Sequence, residues 1–390
     1  MPRRTARSRP RLSAVALVAA CVAALTPAGA HASTAPGPEG DQLQRRAQEL
    51  VDAPGGPPGL IAVLRDEDRT RVVRAGVADL ATGRPPETDD HMRIASTAKA
   101  FSAAVALTLV DRHALGLDDT LGRRLPQLPD AWHKVTLRQL LQHTSGLPDY
   151  TSSPAFVREV TADPHHHFDS RRLLDYVAGD PLAFRPGSRY HYSNSDNIAV
   201  ALMAESATGT PYEELLRTLV DRPLGLRSTS LPQGYRLPEP YLHGYDVAPP
   251  APPQDVSEEL GASGVWASGG IVSTPADLTR FVRGYAGGAL YGAGVVGEQR
   301  RWIDGASQPA GPGRNAAGLG IFRYTTRCGA VLGHTGNFPG YTQLIAATPD
   351  GRRSLTFSIT TQTNETLKPD LLRQLRSVQE DFVCALLNRR

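Results

Sequence analysis

Lysine is nearly missing from this chain: Lys99, Lys134 and Lys368 are the only three among 42 basic residues. A guanidinium does not give up its proton in a protein, so any role for an amine base falls on one of those positions. No apolar run is long enough to span a bilayer; the longest, residues 12–25, is too short. Charge of one sign is also lacking, with 42 basic against 39 acidic residues and a formal net charge of +3. No basic stripe argues for a nucleic-acid partner. Cysteine is down to three, so a single bridge is the most the chain can close. The one histidine cluster, His165-His166-His167, lacks acidic partners at ligand spacing, and three adjacent side chains cannot converge on one ion. No metal site is expected, and there is no internal repeat.

What is there begins with a processing segment. Arg3, Arg4, Arg7, Arg9 and Arg11 precede the apolar run, and Ala28-Gly29-Ala30 and Ala30-His31-Ala32 follow it. This is the layout of a secretory signal over residues 1–32, cleaved after Ala30 or Ala32, and it predicts a secreted, extracellular protein. Val18-Ala19-Ala20-Cys21 has the form of a lipoprotein box, but the apolar run continues past Cys21 to Leu25. Arg3-Arg4 is followed by residues that fit a twin-arginine signal poorly. Losing five arginines and no acids takes the net charge to −2.

Chemistry enters at Ser96-Thr97-Ala98-Lys99. A short extended stretch gives way there to a long helical pattern, and the spacing puts Oγ and Nζ on one helical face. A hydroxyl needs a neighbouring base to become nucleophilic, and burial can keep a lysine uncharged for that task. Taken alone, the pattern is better read as a helix N-cap serine with an exposed lysine. Two later motifs change the balance. Tyr192-Ser193-Asn194 sits in a loop after Arg185-Pro186-Gly187, before a helical run. His334-Thr335-Gly336 follows the apolar Ala330-Val331-Leu332-Gly333 and reads as part of an edge strand.

The order Ser-x-x-Lys, Tyr-x-Asn, His-Thr-Gly resembles that of the penicillin-recognising serine enzymes. More closely, it resembles secreted D-alanyl-D-alanine carboxypeptidases of the actinomycete type, within the class C beta-lactamase and esterase superfamily. The stretches 140–147, 269–278 and 318–320 agree, and the resemblance covers about residues 41–388. It implies a serine acyl-enzyme hydrolase that needs no cofactor. Ser96 is then the nucleophile, and Lys99 and Tyr192 share the proton work. Asn194 bonds Lys99 and a substrate amide. The backbone N–H groups of Ser96 and Asn337 form the oxyanion hole, and Thr335, beside His334 and Gly336, binds a substrate carboxylate. A tyrosine can act as a base near neutral pH only if nearby cations stabilise its phenolate.

The third motif departs from the commoner Lys-Thr-Gly, which weakens the positive charge near that carboxylate, and Arg323 is the candidate compensating cation. Without such a cation, an esterase or amidase becomes the better reading. Trp266 is expected to wall the cleft, with core packing as its alternative role; His143 is expected to cap a turn. The implied partner is a peptidoglycan stem peptide or another acyl-D-amino-acid substrate, with beta-lactams as inhibitors and a monomer as the working unit. The alternatives are a class C-like beta-lactamase, an esterase or a D-amino-acid amidase, and last a non-catalytic penicillin-binding sensor. A lone thiol pair in an oxidising compartment usually closes, and related carboxypeptidases carry a comparable bridge, so Cys328 and Cys384 are expected to be joined.

The fold implied is α+β, of the beta-lactamase/transpeptidase type: an antiparallel sheet flanked by helices and built from N- and C-terminal segments. A mainly helical insertion is expected at about 115–265, inside a catalytic domain of residues 41–388. Residues 33–40 read as a flexible leader, 41–51 as an amphipathic helix, and 60–64 and 72–77 as paired strands. Strand character returns at 331–332, 341–347 and 355–360, with Thr348-Pro349-Asp350-Gly351 as a turn. Residues 369–387 read as a closing helix. Chain length favours two lobes with the site at their junction.

Overall fold

Alternating apolar residues near both ends of the chain build one sheet. In the computed structural model, residues 38–67 and 69–388 are described; the expected signal, its cleavage sites, Cys21 and residues 33–37 lie outside them. The helix α1 spans Pro38–Val51. It starts three residues earlier than expected because Pro38 suits a first helical turn, where its missing N–H costs nothing. Strands β1 (Gly59–Asp66) and β2 (Arg69–Gly76) follow, then α2 (Ala98–Asp111), α3 (Asn194–Thr208) and α4 (Pro275–Gly287). The remaining strands are β3 (Ile303–Asp304), β4 (Arg314–Ala317), β5 (Phe322–Thr326), β6 (Gly329–Phe338), β7 (Tyr341–Ala347) and β8 (Arg353–Ile359), closed by α5 (Pro369–Leu387).

These eight strands form one antiparallel sheet in the order β2-β1-β8-β7-β6-β5-β4-β3. Side chains alternate across it, as the period of two requires. Leu60, Ala62 and Leu64 join Leu355, Phe357 and Ile359 under α1 and α5. Ile61 and Ile345 face the other way, into a core shared with α2, α3 and α4. The β7–β8 turn is held by Thr348 and Arg353, whose N–H and C=O pair at 2.9 Å, and Gly351 takes φ +70° there. Between α2 and α4 the chain runs through short helices and loops, including Leu137–Leu141, Tyr150–Ser152 and Trp266–Gly269.

Two expectations change. The chain from residue 38 onward is one compact unit rather than two lobes. The cause is α2: residues 98–109 are all buried, so it is covered on every side, and its core continues from the helical region into the sheet. The His-Thr-Gly strand, β6, is not at the sheet's edge but fourth from it in strand order. Its pairing with β5, however, covers only Gly329 to Gly333, while pairing with β7 runs from Leu332 to Phe338. Past Gly333 the strand is therefore bonded on the β7 side alone, and the side that β5 leaves is unpaired.

Candidate active site

Ser96 stands in a single 3₁₀ turn, Ala95–Thr97, that leads into α2. Ala95 is held at φ +52°, a left-handed conformation that costs a residue with a Cβ of order 1 kcal/mol or more and that recurs at functional turns. The turn lies hard against β6: a Cβ on Gly336 would come within 2.4 Å of the Ile94 carbonyl oxygen. Glycine at 336 lets the strand approach the turn that carries Ser96 this closely.

Three residues on, Lys99 is fully buried. Its Nζ lies 3.0 Å from Ser96 Oγ, 2.8 Å from Asn194 Oδ1 and 2.7 Å from the Ser268 carbonyl. The last two groups only accept, so a neutral amine gives each one hydrogen and turns its lone pair to the Ser96 hydroxyl. Burial pushes the Lys99 amine down to about 7, although Asp149 and Asp196 pull it upward. The lysine is thus an available base near neutral pH.

Asn194 opens α3, and one carboxylate oxygen of Asp149 fixes it. That oxygen accepts the Asn194 backbone N–H at 3.0 Å and its Nδ2 at 2.9 Å. The other oxygen caps the turn at Tyr150 by accepting from Thr151 N at 3.0 Å and Thr151 Oγ1 at 2.8 Å. Ser195 ties the same loop to α3, donating to the Pro148 carbonyl at 2.6 Å and accepting from Tyr150 N at 3.0 Å. Nothing in the sequence singled out Asp149, because a Pro-Asp-Tyr loop reads as a turn.

Tyr192 is buried, with its hydroxyl making no hydrogen bond of ordinary geometry. Its ring centroid is 5.0 Å from Lys99 Nζ. Burial raises the phenol well above its ordinary value, while the Ser96 hydroxyl pulls the other way. Tyr192 therefore carries its proton, contrary to the phenolate the sequence reading allowed for. His143 is not a turn cap. Its ring packs on Tyr192 with centroids 4.4 Å apart, and its Nδ1 meets Asp196 Oδ2 at 2.8 Å. Ser145 donates to the other oxygen of Asp196. Burial lowers His143 to about 3 and raises Asp196 well above the usual carboxylate range. Burial thus disfavours the charged form of both partners. The helix-end pattern at 140–147 was legible, but the contact to Tyr192 spans 49 positions and was not.

A cavity of about 400 Å³ opens over Ser96. Tyr192, Asn194, Thr151, Ser268, Gln308, Asn337 and Glu365 are among its lining residues. Ser96, Tyr192, Asn194 and Asn337 thus meet at one cavity, with Lys99 bonded beneath. Four expected side chains, those of Thr335, Trp266, Arg323 and His334, lie outside that lining. Thr335 is buried and donates to the Pro309 carbonyl at 2.6 Å. Trp266 is fully buried, donates its indole N–H to Glu213 at 2.9 Å and stands edge-on to Tyr212; it packs, and its neighbours Val265, Ser268 and Gly269 line the cavity instead. Arg323 lies over the Trp302 ring at 5.3 Å, away from the lining. His334 is fully buried, its Nδ1 2.6 Å from the Thr335 carbonyl, and burial lowers it to about 3. It supplies no positive charge. Cys328 and Cys384 are bonded, with Cα atoms 5.1 Å apart, joining the β5–β6 turn to α5. No described helix is long and apolar enough to cross a membrane.

Set against known proteins, residues 43–380 match the family model described as Beta-lactamase. The chain is 27% identical over 298 residues to penicillin-binding protein 4* of Bacillus subtilis (strain 168), an alignment of 72% of this chain and 63% of that relative's length. It is 29% identical over 290 residues to the D-alanyl-D-alanine-carboxypeptidase/endopeptidase AmpH of Escherichia coli (strain K12), covering 70% of this chain and 68% of that one. Among solved structures, a D-stereospecific amidohydrolase from Streptomyces sp. superposes with a TM-score of 0.73 at 28% identity, over 83% of this chain and 94% of its own.

Proposed function

The chain belongs to the beta-lactamase family, and from that premise we propose that it is a serine acyl-enzyme hydrolase that cleaves D-configured amides, esters or short peptides whose leaving group carries no essential carboxylate. The observation behind this reading is the charge of the cavity. Lys99 lies beneath Ser96, and among the described residues that line the cavity there is no lysine or arginine. Arg323 packs on Trp302, His334 is neutral, and the Thr335 hydroxyl is already committed to Pro309. A carboxylate-terminated substrate would meet no fixed cation there. Kinship with the Streptomyces amidohydrolase supports the D preference.

The chemistry follows from the proton positions. Lys99 takes the Ser96 proton as Oγ attacks the carbonyl carbon, and the carbonyl electron pair moves onto oxygen. The backbone N–H groups of Ser96 and Asn337 are the proposed donors to that oxyanion; one such donor is typically worth about 3 kcal/mol. As the C–N or C–O bond breaks, the protonated Tyr192 hydroxyl supplies the leaving group's proton and is recharged from Lys99. Water then attacks the acyl-Ser96 carbonyl, giving up its proton through the same pair, and Ser96 is restored.

The second reading is a D-alanyl-D-alanine carboxypeptidase, favoured by the likeness to AmpH and to penicillin-binding protein 4*. D-alanine release from diacyl-Lys-D-Ala-D-Ala separates the two, run beside a D-phenylalanine amide, a nitrophenyl ester and a chromogenic cephalosporin. Amide and ester turnover well above D-alanine release supports the first reading; the reverse order establishes the second.

A further inference from the structure

Among the described residues that line the cavity over Ser96, one side chain is ionic, and it is acidic. Glu365 lies in the loop between β8 and α5, with Asn364 and Thr366 beside it in the lining. This loop is braced. Asn364 Oδ1 accepts from Thr366 N at 2.9 Å and from Leu367 N at 2.8 Å. Thr363 N donates to Thr342 Oγ1 on β7 at 3.0 Å, and Thr363 Oγ1 donates to the Lys368 carbonyl at 3.2 Å. Across the mouth run Gln308 and Pro309, also in the lining, and the next backbone amide, Ala310 N, lies 3.4 Å from Glu365 Oε1. Lys368, the nearest cation in sequence, directs its Nζ to Thr361 Oγ1 instead.

We infer that Glu365 sorts substrates by charge, pairing with a cationic group such as the free ammonium of an amino-acid derivative and repelling a carboxylate at the same mouth. The carboxylate is exposed, yet it acts where the walls hold no guanidinium or ammonium to offset it. Low-dielectric walls around a single sign of charge focus its field on whatever enters. Deeper in, Asp149 adds charge of the same sign beside Lys99. The inference rests on the proposal above for a carboxylate-free leaving group and extends it to the acyl donor.

Three nitrophenyl esters of matched size test it: a trimethylammonium-bearing acyl chain, its neutral tert-butyl isostere and its carboxylate counterpart. The wild type should rank them cation, neutral, anion in kcat/KM. Glu365→Gln should lower the cation-to-anion ratio about tenfold, and raised salt should compress the wild-type ratio in the same direction, because an exposed pair is screened. Glu365→Asp should keep most of the ratio. An unchanged ratio in Glu365→Gln, or an equal change for all three esters, overturns the inference. The neutral ester keeps the two proposals apart: its turnover with a ratio insensitive to Glu365 sinks charge sorting alone. If none of the three is hydrolysed and Ser96 is not labelled, the functional reading falls and takes the inference with it.

Discussion

Asp149 holds Asn194 by two donors on one carboxylate oxygen, and this decides which end of the asparagine amide faces Lys99. With Nδ2 and the backbone N–H both on Asp149 Oδ2, Oδ1 is left to accept from the lysine. Asp149→Asn keeps the shape but offers an ambiguous partner, so Asn194 can turn its NH₂ toward Nζ and displace it from Ser96. Removing the negative charge also lowers the Lys99 pKa further, since Asp149 is the main group raising it. The expected outcome is kcat lower by roughly ten- to a hundredfold, with the acid limb of kcat/KM moved to lower pH. The other titratable groups around Lys99 are Tyr192, Asp196, His143 and His334, and none is altered. A pH–rate profile checks this; an unmoved acid limb would mean that Asp149 serves the loop only.

The wild-type profile carries its own prediction. A base whose pKa lies at about 7 is protonated below that pH, and Ser96 then has no acceptor for its proton. kcat/KM for a neutral ester should rise through about pH 7 and level off above it. Lys99→Arg keeps the charge but removes the base, and should cost about 10²- to 10⁴-fold. Ser96→Ala should abolish both turnover and covalent labelling by a penicillin or a fluorophosphonate. Labelling of Ser96→Ala would mean that the nucleophile is elsewhere.

Most of this centre was legible because its spacing is local or its motifs are ordered. Ser96 and Lys99 are three residues apart on one turn, and the strands 60–64, 341–347 and 355–360 alternate or run apolar as buried strands do. The disulfide followed from having two cysteines left. What failed has a common cause: contacts across the sequence. Trp266 and Arg323 have the right chemistry for a cleft, yet neighbours distant in sequence, Glu213 and Trp302, engage them first. Asp149 and the His143–Asp196 pair were missed because their partners lie 45 to 53 positions away. The strand carrying His334-Thr335-Gly336 is expected at an edge, but β5, β4 and β3 extend the sheet beyond it, and β4 and β3, of four and two residues, are too short to carry a period.

Tyr192 can be separated from Lys99 by leaving group. A nitrophenolate departs without needing a proton, whereas an amine must receive one. If the protonated phenol supplies it, Tyr192→Phe should slow amide hydrolysis by about 10²-fold or more while slowing nitrophenyl ester acylation far less. Burst kinetics on the ester should show deacylation becoming the slower phase, because activating the water uses the same proton path. Equal losses on amide and ester would assign Tyr192 to packing against His143 rather than to proton delivery.

The Cys328–Cys384 bridge ties the β5–β6 turn to α5 across 56 positions. Arg327 lies on the same seam, with ion pairs to Glu380 and Asp381, and Arg46 from α1 also reaches Asp381. Arg327 is exposed and its acidic partners and Arg46 only half-buried, so water still screens these pairs and the covalent link should dominate the hold on α5. Closing a loop of this length removes unfolded-state entropy equivalent to about 4 kcal/mol in the chain-entropy treatment, with measured values for such bridges of about 2–5 kcal/mol. Cys328→Ala and Cys384→Ala should each lower Tm by several degrees, and the double variant by no more than either single one. Activity at low temperature should persist, because Ser96, Lys99 and Tyr192 sit on segments that α5 does not touch through the bridge. Additive losses from the two single variants would show that the thiols act separately, and a denatured, unreduced sample that titrates two free thiols would rule the bond out.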